Sequence, residues 1–177
     1  LKALTEDLVE ASRATSGNIK LELNTINFVE LVLQAAGTYQ EKFDAANLEM
    51  VLRYAPETML IMADGRRLYR VLDNLLNNVC KYAMPGTRVY IDMYVENRRA
   101  WMVMKNISKT QLTIPADTLT QRFVRGDWSR STEGSGLGLS IARSLTELHD
   151  GIFDIALDGD LFKVSVALNC LNEKETI

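Results

Sequence analysis

Apolar residues recur at helical spacing along several stretches of the chain and alternate along others. "NFVELVLQAAGTYQEKF" predicts a helix from Asn27 to Phe43, with Asn27 and Glu30 spaced as a capping box. A short strand in "LELNT" precedes it. A second amphipathic pattern runs from Arg66 to Ala83, with Asp64 placed to cap it and Pro85-Gly86 to end it. A third runs from Leu137 to about His149 and stops at Gly151. "EMVLRYA" and "ETMLIMA" read as strands separated by Pro56. "RVYIDMYVE" and "AWMVMKNI" alternate around the turn "NRR", and "GIFDIALDG" and "LFKVSVAL" form a second predicted hairpin. From Ser108 to Ser135 no period emerges, which is long for a structureless connection, and such loops are usually functional lids or mobile segments.

Together these elements predict two layers, with helices on one face of a mostly antiparallel sheet. Leu1, Leu4, Leu8 and Ala11 form a short helical stripe that "ATSGN" breaks. So short a helix is marginal alone, so residues 1–19 read as the end of a longer helix plus linker, and 20–177 as the main domain.

Composition fits an ordinary soluble domain, with 47% hydrophobic and 24% charged residues. A net charge of -3 gives no basic field for nucleic acid, and no nucleic-acid partner is expected. Cys80 and Cys170 are too few for a disulfide framework or a zinc site. The expected setting is cytoplasmic. The pattern opens in midstream at Leu1, so the chain reads as a fragment whose parent could carry a membrane anchor upstream.

The second helix carries an odd polar group. At about 100° per residue, Leu68, Leu72, Leu75, Leu76 and Val79 share a core arc. Asn74, Asn78 and Lys81 share a separate arc of roughly 60°, with Tyr82 at its edge. Asparagine is a poor helix former, and a solvated face would favour Glu, Lys and Arg. Amides at i and i+4 followed by a cation suit a hydrated magnesium ion and a phosphate chain, since magnesium takes oxygen ligands. An ordinary polar face is the competing explanation.

"EGSGLGLSIARSL" is the second unusual stretch. Gly134, Gly136 and Gly138 alternate into a helix start, where backbone amides can approach an anion such as phosphate. No strand precedes the run and no "GK[ST]" ends it, so neither the dinucleotide fingerprint nor the P-loop fits.

"LDNLLNNVCKYA" and "RFVRGDWSRSTEGSGLGLSIARSL" together resemble the N box and the phenylalanine-to-glycine boxes of the ATP-binding catalytic domain of bacterial sensor histidine kinases. That domain belongs to the GHKL group shared with gyrase, Hsp-type chaperones and mismatch-repair ATPases. The resemblance implies an α+β two-layer sandwich (the Bergerat fold) that binds ATP and magnesium. It implies that Asn74 and Asn78 face the magnesium-triphosphate, with Asn78 as metal ligand and Lys81 and Tyr82 flanking the phosphates. Asp73 holds the acidic catalytic position. Arg122, Phe123 and Arg125 belong to the lid, and Gly134, Ser135, Gly136, Leu137 and Gly138 to its phosphate-side hinge. Residues 1–19 resemble the end of the second helix of a dimerisation and phosphoacceptor domain. The implied reaction passes the γ-phosphate to a histidine on that upstream domain, within a homodimeric parent that serves a response regulator. The isolated fragment is expected not to phosphorylate itself.

The sequence departs from that family at "NISKT": Asn106 stands where an Asp usually accepts from the adenine amino group, and Ser108 and Thr110 replace glycines. Altered adenine recognition is the expectation. Val79 at a usually small position is a milder departure. Two rivals follow: an interaction module whose nucleotide site has decayed, and an ATP-hydrolysing relative. His149 is the sole histidine; its helix-end position predicts a structural, partly cationic ring. Cys80 reads as a plain buried thiol, and Trp128 belongs to the lid segment.

Overall fold

The computed structural model describes residue 9 and residues 20–113, 115–120 and 137–171. Strand β1 (Asn24–Asn27) leads directly into helix α1 (Phe28–Ala45). The Asn27 side chain caps that helix through Val29 N at 3.2 Å and also accepts from Met59 N at 3.0 Å. The Asn27 half of the predicted box is therefore formed, and its oxygen is shared with a neighbouring segment. At the far end Asn47 turns left-handed (φ 54°) and Leu48 N returns to Phe43 O at 2.9 Å, which closes the helix in a Schellman-type stop.

Strands β2 (Glu49–Ala55) and β3 (Leu60–Ala63) follow, then helix α2 (Gly65–Tyr82) and the hairpin β4 (Arg88–Glu96) and β5 (Arg99–Ile107). The turn Asn97-Arg98 has φ of 51° and 61°, the twist that two-residue hairpins favour. A helical turn α3 (Ala116–Leu119), helix α4 (Gly138–Leu148) and the hairpin β6 (Ile152–Asp158) and β7 (Leu161–Asn169) complete the order.

The main sheet has five strands in the order β2-β4-β5-β7-β6, parallel between β2 and β4 and antiparallel elsewhere. β1 and β3 pair with each other in a separate two-stranded sheet, Asn24 opposite Ala63. Alternation along the central strands puts Ile91, Met102, Met104, Val164 and Val166 on the face that meets the helices. From the helices, Phe28, Val32, Phe43, Leu68, Leu72, Leu75, Leu76, Ile141 and Leu145 fill the other side of one core.

Asp64 ties the layer together at the start of α2. Its carboxylate accepts from Arg67 N and Glu22 N, both at 3.1 Å, while its own N–H donates to His149 Nε2 at 3.1 Å. A backbone N–H can only donate, so Nε2 is the acceptor and Nδ1–H donates to Leu145 O at 2.7 Å. Both ring nitrogens are thereby committed to backbone groups, one at the cap of α2 and one within α4. Burial pushes the Asp64 carboxyl up, but the N–H groups of Glu22 and Arg67 and nearby positive charge bring it below its ordinary value. We predict that Asp64→Ala costs about 1–2 kcal/mol in urea unfolding, the usual loss of an N-cap. Since the folded value lies below the unfolded one, the contribution is full above the unfolded carboxyl value. It fades as pH falls through the folded value, so the variant and the natural chain should converge in acid.

Candidate functional site

Asn78 and Tyr82 lie one turn apart near the end of α2, and Asn106 lies near the end of β5. All three line one pocket, together with Ser108 and the apolar walls Leu112, Leu119, Leu139 and Phe162. The core stripe of α2 fixes this geometry. Leu72, Leu75, Leu76 and Val79 are buried at 2% exposure or less, so the amide side chains one face away are turned toward the end of the layer.

Asn106 is the most telling group. It continues the helix-facing run Ala100, Met102, Met104 and is 3% exposed, yet its Oδ1 has no hydrogen-bond partner among the described residues. A buried amide oxygen left unpaired costs about 1–3 kcal/mol, so the arrangement calls for a donor from a ligand. Asn74, one turn before Asn78, has a buried Nδ2 in the same condition. Its Oδ1 lies 3.4 Å from where a Cβ on Gly138 would stand, so α4 begins hard against this amide. The N-terminal amides of α4 therefore start beside this amide, where the helix dipole favours an anion.

Leu137 is fully buried at the start of α4, and its carbonyl accepts from Ser140 Oγ at 2.8 Å. Arg122, Phe123, Arg125, Trp128, Gly134, Ser135 and Gly136 lie outside the described residues. Lys81 does not line the pocket; its carbonyl accepts from the Lys109 ammonium at the helix end. Asp73 turns to a different face altogether. Its carboxylate accepts from Tyr39 Oη at 2.6 Å and from Arg70 at 3.2 Å, which joins α2 to α1. Burial first, and then this bond to Asp73, pushes the Tyr39 phenol far above its ordinary value. Tyr39→Phe is expected to lower stability by about 1 kcal/mol in thermal or urea unfolding, and to leave ligand affinity within about threefold. A large affinity loss would place Asp73 in the site after all.

The "NISKT" stretch forms one wall by strapping β5 to the end of α2. Ser108 bridges Ala83, Lys109 N donates to Tyr82 O at 2.9 Å, and Ser108 N donates to Asp160 O at 2.7 Å. Thr110 N turns back to Ser108 Oγ at 3.3 Å, and Thr110 Oγ1 is buried without a partner. An adjoining cleft on the far side of Ser108 is lined by Met84, Thr110, Leu157 and Asp160 among others.

Sequence reasoning missed Phe162 and the leucines. Phe162 sits directly opposite Asn106 in the β5–β7 register. Its alternation was visible, but the register that brings it to Asn106 was not. Leu112 and Leu119 were hidden in a stretch dominated by polar residues. Cys80 and Cys170 are free and half-buried, and burial pushes both thiols up, which suits packing and not nucleophilic chemistry.

Comparison with known proteins agrees with this geometry. The sequence profile of the "Histidine kinase-, DNA gyrase B-, and HSP90-like ATPase" family matches residues 63–170. Among curated relatives, the circadian input-output histidine kinase CikA of Synechococcus elongatus is 30% identical over 162 residues, 88% of this chain and 21% of its own length. The signal transduction histidine-protein kinase BaeS of Escherichia coli is 26% identical over 153 residues, 85% of this chain and 32% of its own. The chain thus spans well under half the length of these relatives. Two solved structures share the fold. Full-length ShkA in complex with AMPPNP gives a TM-score of 0.79 at 20% identity, covering 96% of this chain and 36% of that one. The mycobacterial sensor histidine kinase MprB gives 0.72 at 21% identity, covering 83% and 98%. With its mostly antiparallel sheet, its asparagine-bearing helix and its pocket at the end of the layer, this chain belongs to the family of histidine kinase-, DNA gyrase B- and HSP90-like ATPases.

Proposed function

We propose that this chain is the ATP-binding catalytic part of a sensor histidine kinase, and that it passes the γ-phosphate of ATP to a histidine on a separate phosphoacceptor domain. One observation carries the reading: the unpaired, buried Oδ1 of Asn106 in a pocket shared with Asn78 and Tyr82. An adenine amino group is a donor of the right kind for that oxygen. The walls from Leu112, Leu139 and Phe162 suit the faces of a base. The solved ShkA complex with the ATP analogue AMPPNP supports the same assignment by likeness of fold.

In this reading Asn106 holds the base end. Asn74 and Asn78 hold the triphosphate end beside the N-terminus of α4, whose Gly138 adjoins the Asn74 amide. Among the described residues no cluster of His, Cys, Asp and Glu could hold an ion alone. The amides fit magnesium in another way. Asn78 would supply one carbonyl oxygen, with phosphate oxygens and water completing the shell, and the ion would neutralise triphosphate charge. Lys81 adds positive charge at the helix end. Asp73 braces α2 against α1 through Tyr39 and acts by positioning. The chain's own work is therefore orientation and charge compensation, the main resources of phosphoryl transfer.

The partners that follow are ATP, the phosphoacceptor domain of a homodimeric parent, and a response regulator downstream. No helix among the described residues is long and apolar enough to cross a membrane. The test is transfer in trans. Mixed with radiolabelled ATP, magnesium and the parent's separately prepared phosphoacceptor domain, the chain should produce acid-labile, base-stable phosphohistidine on that domain. Absence of label, where the intact parent labels itself, would overturn the reading.

A further inference from the structure

The base end of the pocket carries an amide, not a carboxylate, and that difference has chemical consequences of its own. A carboxylate only accepts hydrogen bonds, so it selects a 6-amino purine and repels a 6-oxo one. An amide carries a donor and an acceptor on one plane. Its terminal torsion is broad and roughly two-fold, so turning it end for end costs little unless neighbours fix it. At Asn106 nothing among the described residues does so on the acceptor side, where Oδ1 has no partner. The side chain is 3% exposed, so water does not replace the missing partner freely. Leu112, Leu119, Leu139 and Phe162 contribute no donor or acceptor to the pocket, and its other polar side chains are those of Asn78, Tyr82 and Ser108.

We propose that Asn106 lets this pocket accept both 6-amino and 6-oxo purine nucleoside triphosphates, a deepening that rests on the nucleotide reading above. With a 6-amino purine, Oδ1 accepts from the amino group and Nδ2 faces the N1 acceptor. With a 6-oxo purine, the amide turns over: Nδ2 donates to O6 and Oδ1 accepts from N1–H. Each base then meets a complementary pattern, and the charge repulsion that a carboxylate would direct at O6 is absent.

The probes are ATP and inosine triphosphate, whose bases differ only at position 6 and in the N1 proton that accompanies it. Each is titrated calorimetrically into the chain with magnesium. Dissociation constants within about fivefold of each other are expected. In Asn106→Asp the ratio should move by at least about 30-fold in favour of ATP, the size of a buried mispairing. Asn106→Leu, which presents no polar group and avoids a buried charge, should weaken both nucleotides and leave their ratio within about threefold of the natural one. ATP binding with inosine triphosphate at least about 30-fold weaker in the natural chain would overturn the proposal while leaving the nucleotide site intact. An unchanged ratio in a folded Asn106→Asp would also overturn it. Binding of neither nucleotide would overturn the nucleotide reading itself, and the proposal with it.

Discussion

Asn78→Ala is expected to weaken magnesium-ATP binding by about 100-fold or more while leaving the melting temperature within a few degrees of the natural value. Asn78 lies off the core stripe of α2, which Leu75, Leu76 and Val79 hold in place at 1% exposure each. Its loss opens no core cavity, and alanine is the better helix former, so the helix itself has nothing to lose. What disappears is the amide that lines the pocket with Tyr82 and Asn106. Changes to groups merely supporting a metal ligand cost about 10–100-fold in affinity, and a direct ligand should cost at least as much. Paired calorimetric titration and thermal melting check both halves. Affinity within about threefold of the natural chain would remove Asn78 from the site. A collapse in stability would mean that it serves the fold.

The second large effect concerns the fold. Gly151→Ala is expected to destabilise the chain by about 3 kcal/mol, at the upper end for overpacking. A Cβ at Gly151 would stand 2.8 Å from Ala167 O, Thr146 Cγ2 and Thr146 O alike. Two of those atoms are backbone, one in β7 and one in α4, so relief requires moving an element and not a rotamer. Gly151 N also donates to Thr146 O at 3.0 Å, which fixes the hand-over from α4 to β6. Gly138→Ala makes the contrast. There the nearest atom is the end of the Asn74 side chain at 3.4 Å, which can swing aside. Its expected stability cost is under about 1 kcal/mol. Urea unfolding of the two variants side by side separates them. A Gly151→Ala chain as stable as the natural one would mean that α4 and β7 are not as closely packed as described.

Much of this architecture is legible in the sequence because it rests on local periodicity. The leucine stripe of α2, the Asp64 cap and both hairpins follow from spacing and turn chemistry within a few residues. The pairing of β1 with β3 is not legible. It joins Asn24 to Ala63 across a whole helix and strand, and a four-residue strand carries too little pattern to choose its partner. The "ETMLIMA" stretch shows the same limit, since its strand begins only at Leu60. At the site, the wheel separates Asn74 and Asn78 from the core correctly, because one helix holds them. The Asp73 contact with Tyr39 depends on how α1 packs against α2, and single-helix geometry does not contain that. The pocket around Asn106 needs the register of β5 on β7 as well as the path of residues 107–119. Of its lining, Asn78, Tyr82, Asn106 and Ser108 stood out in advance, whereas Phe162 and the leucines did not.

The central claim is that the amides of α2 and β5 receive a magnesium-bound purine triphosphate. Its most direct test is nitrogen-15 NMR of side-chain amides while magnesium-ATP is titrated into the chain. The account predicts saturable shifts at Asn74, Asn78 and Asn106, with Asn24 and Asn169 unmoved. No shift at those three up to millimolar nucleotide, or shifts confined to asparagines elsewhere, would contradict it.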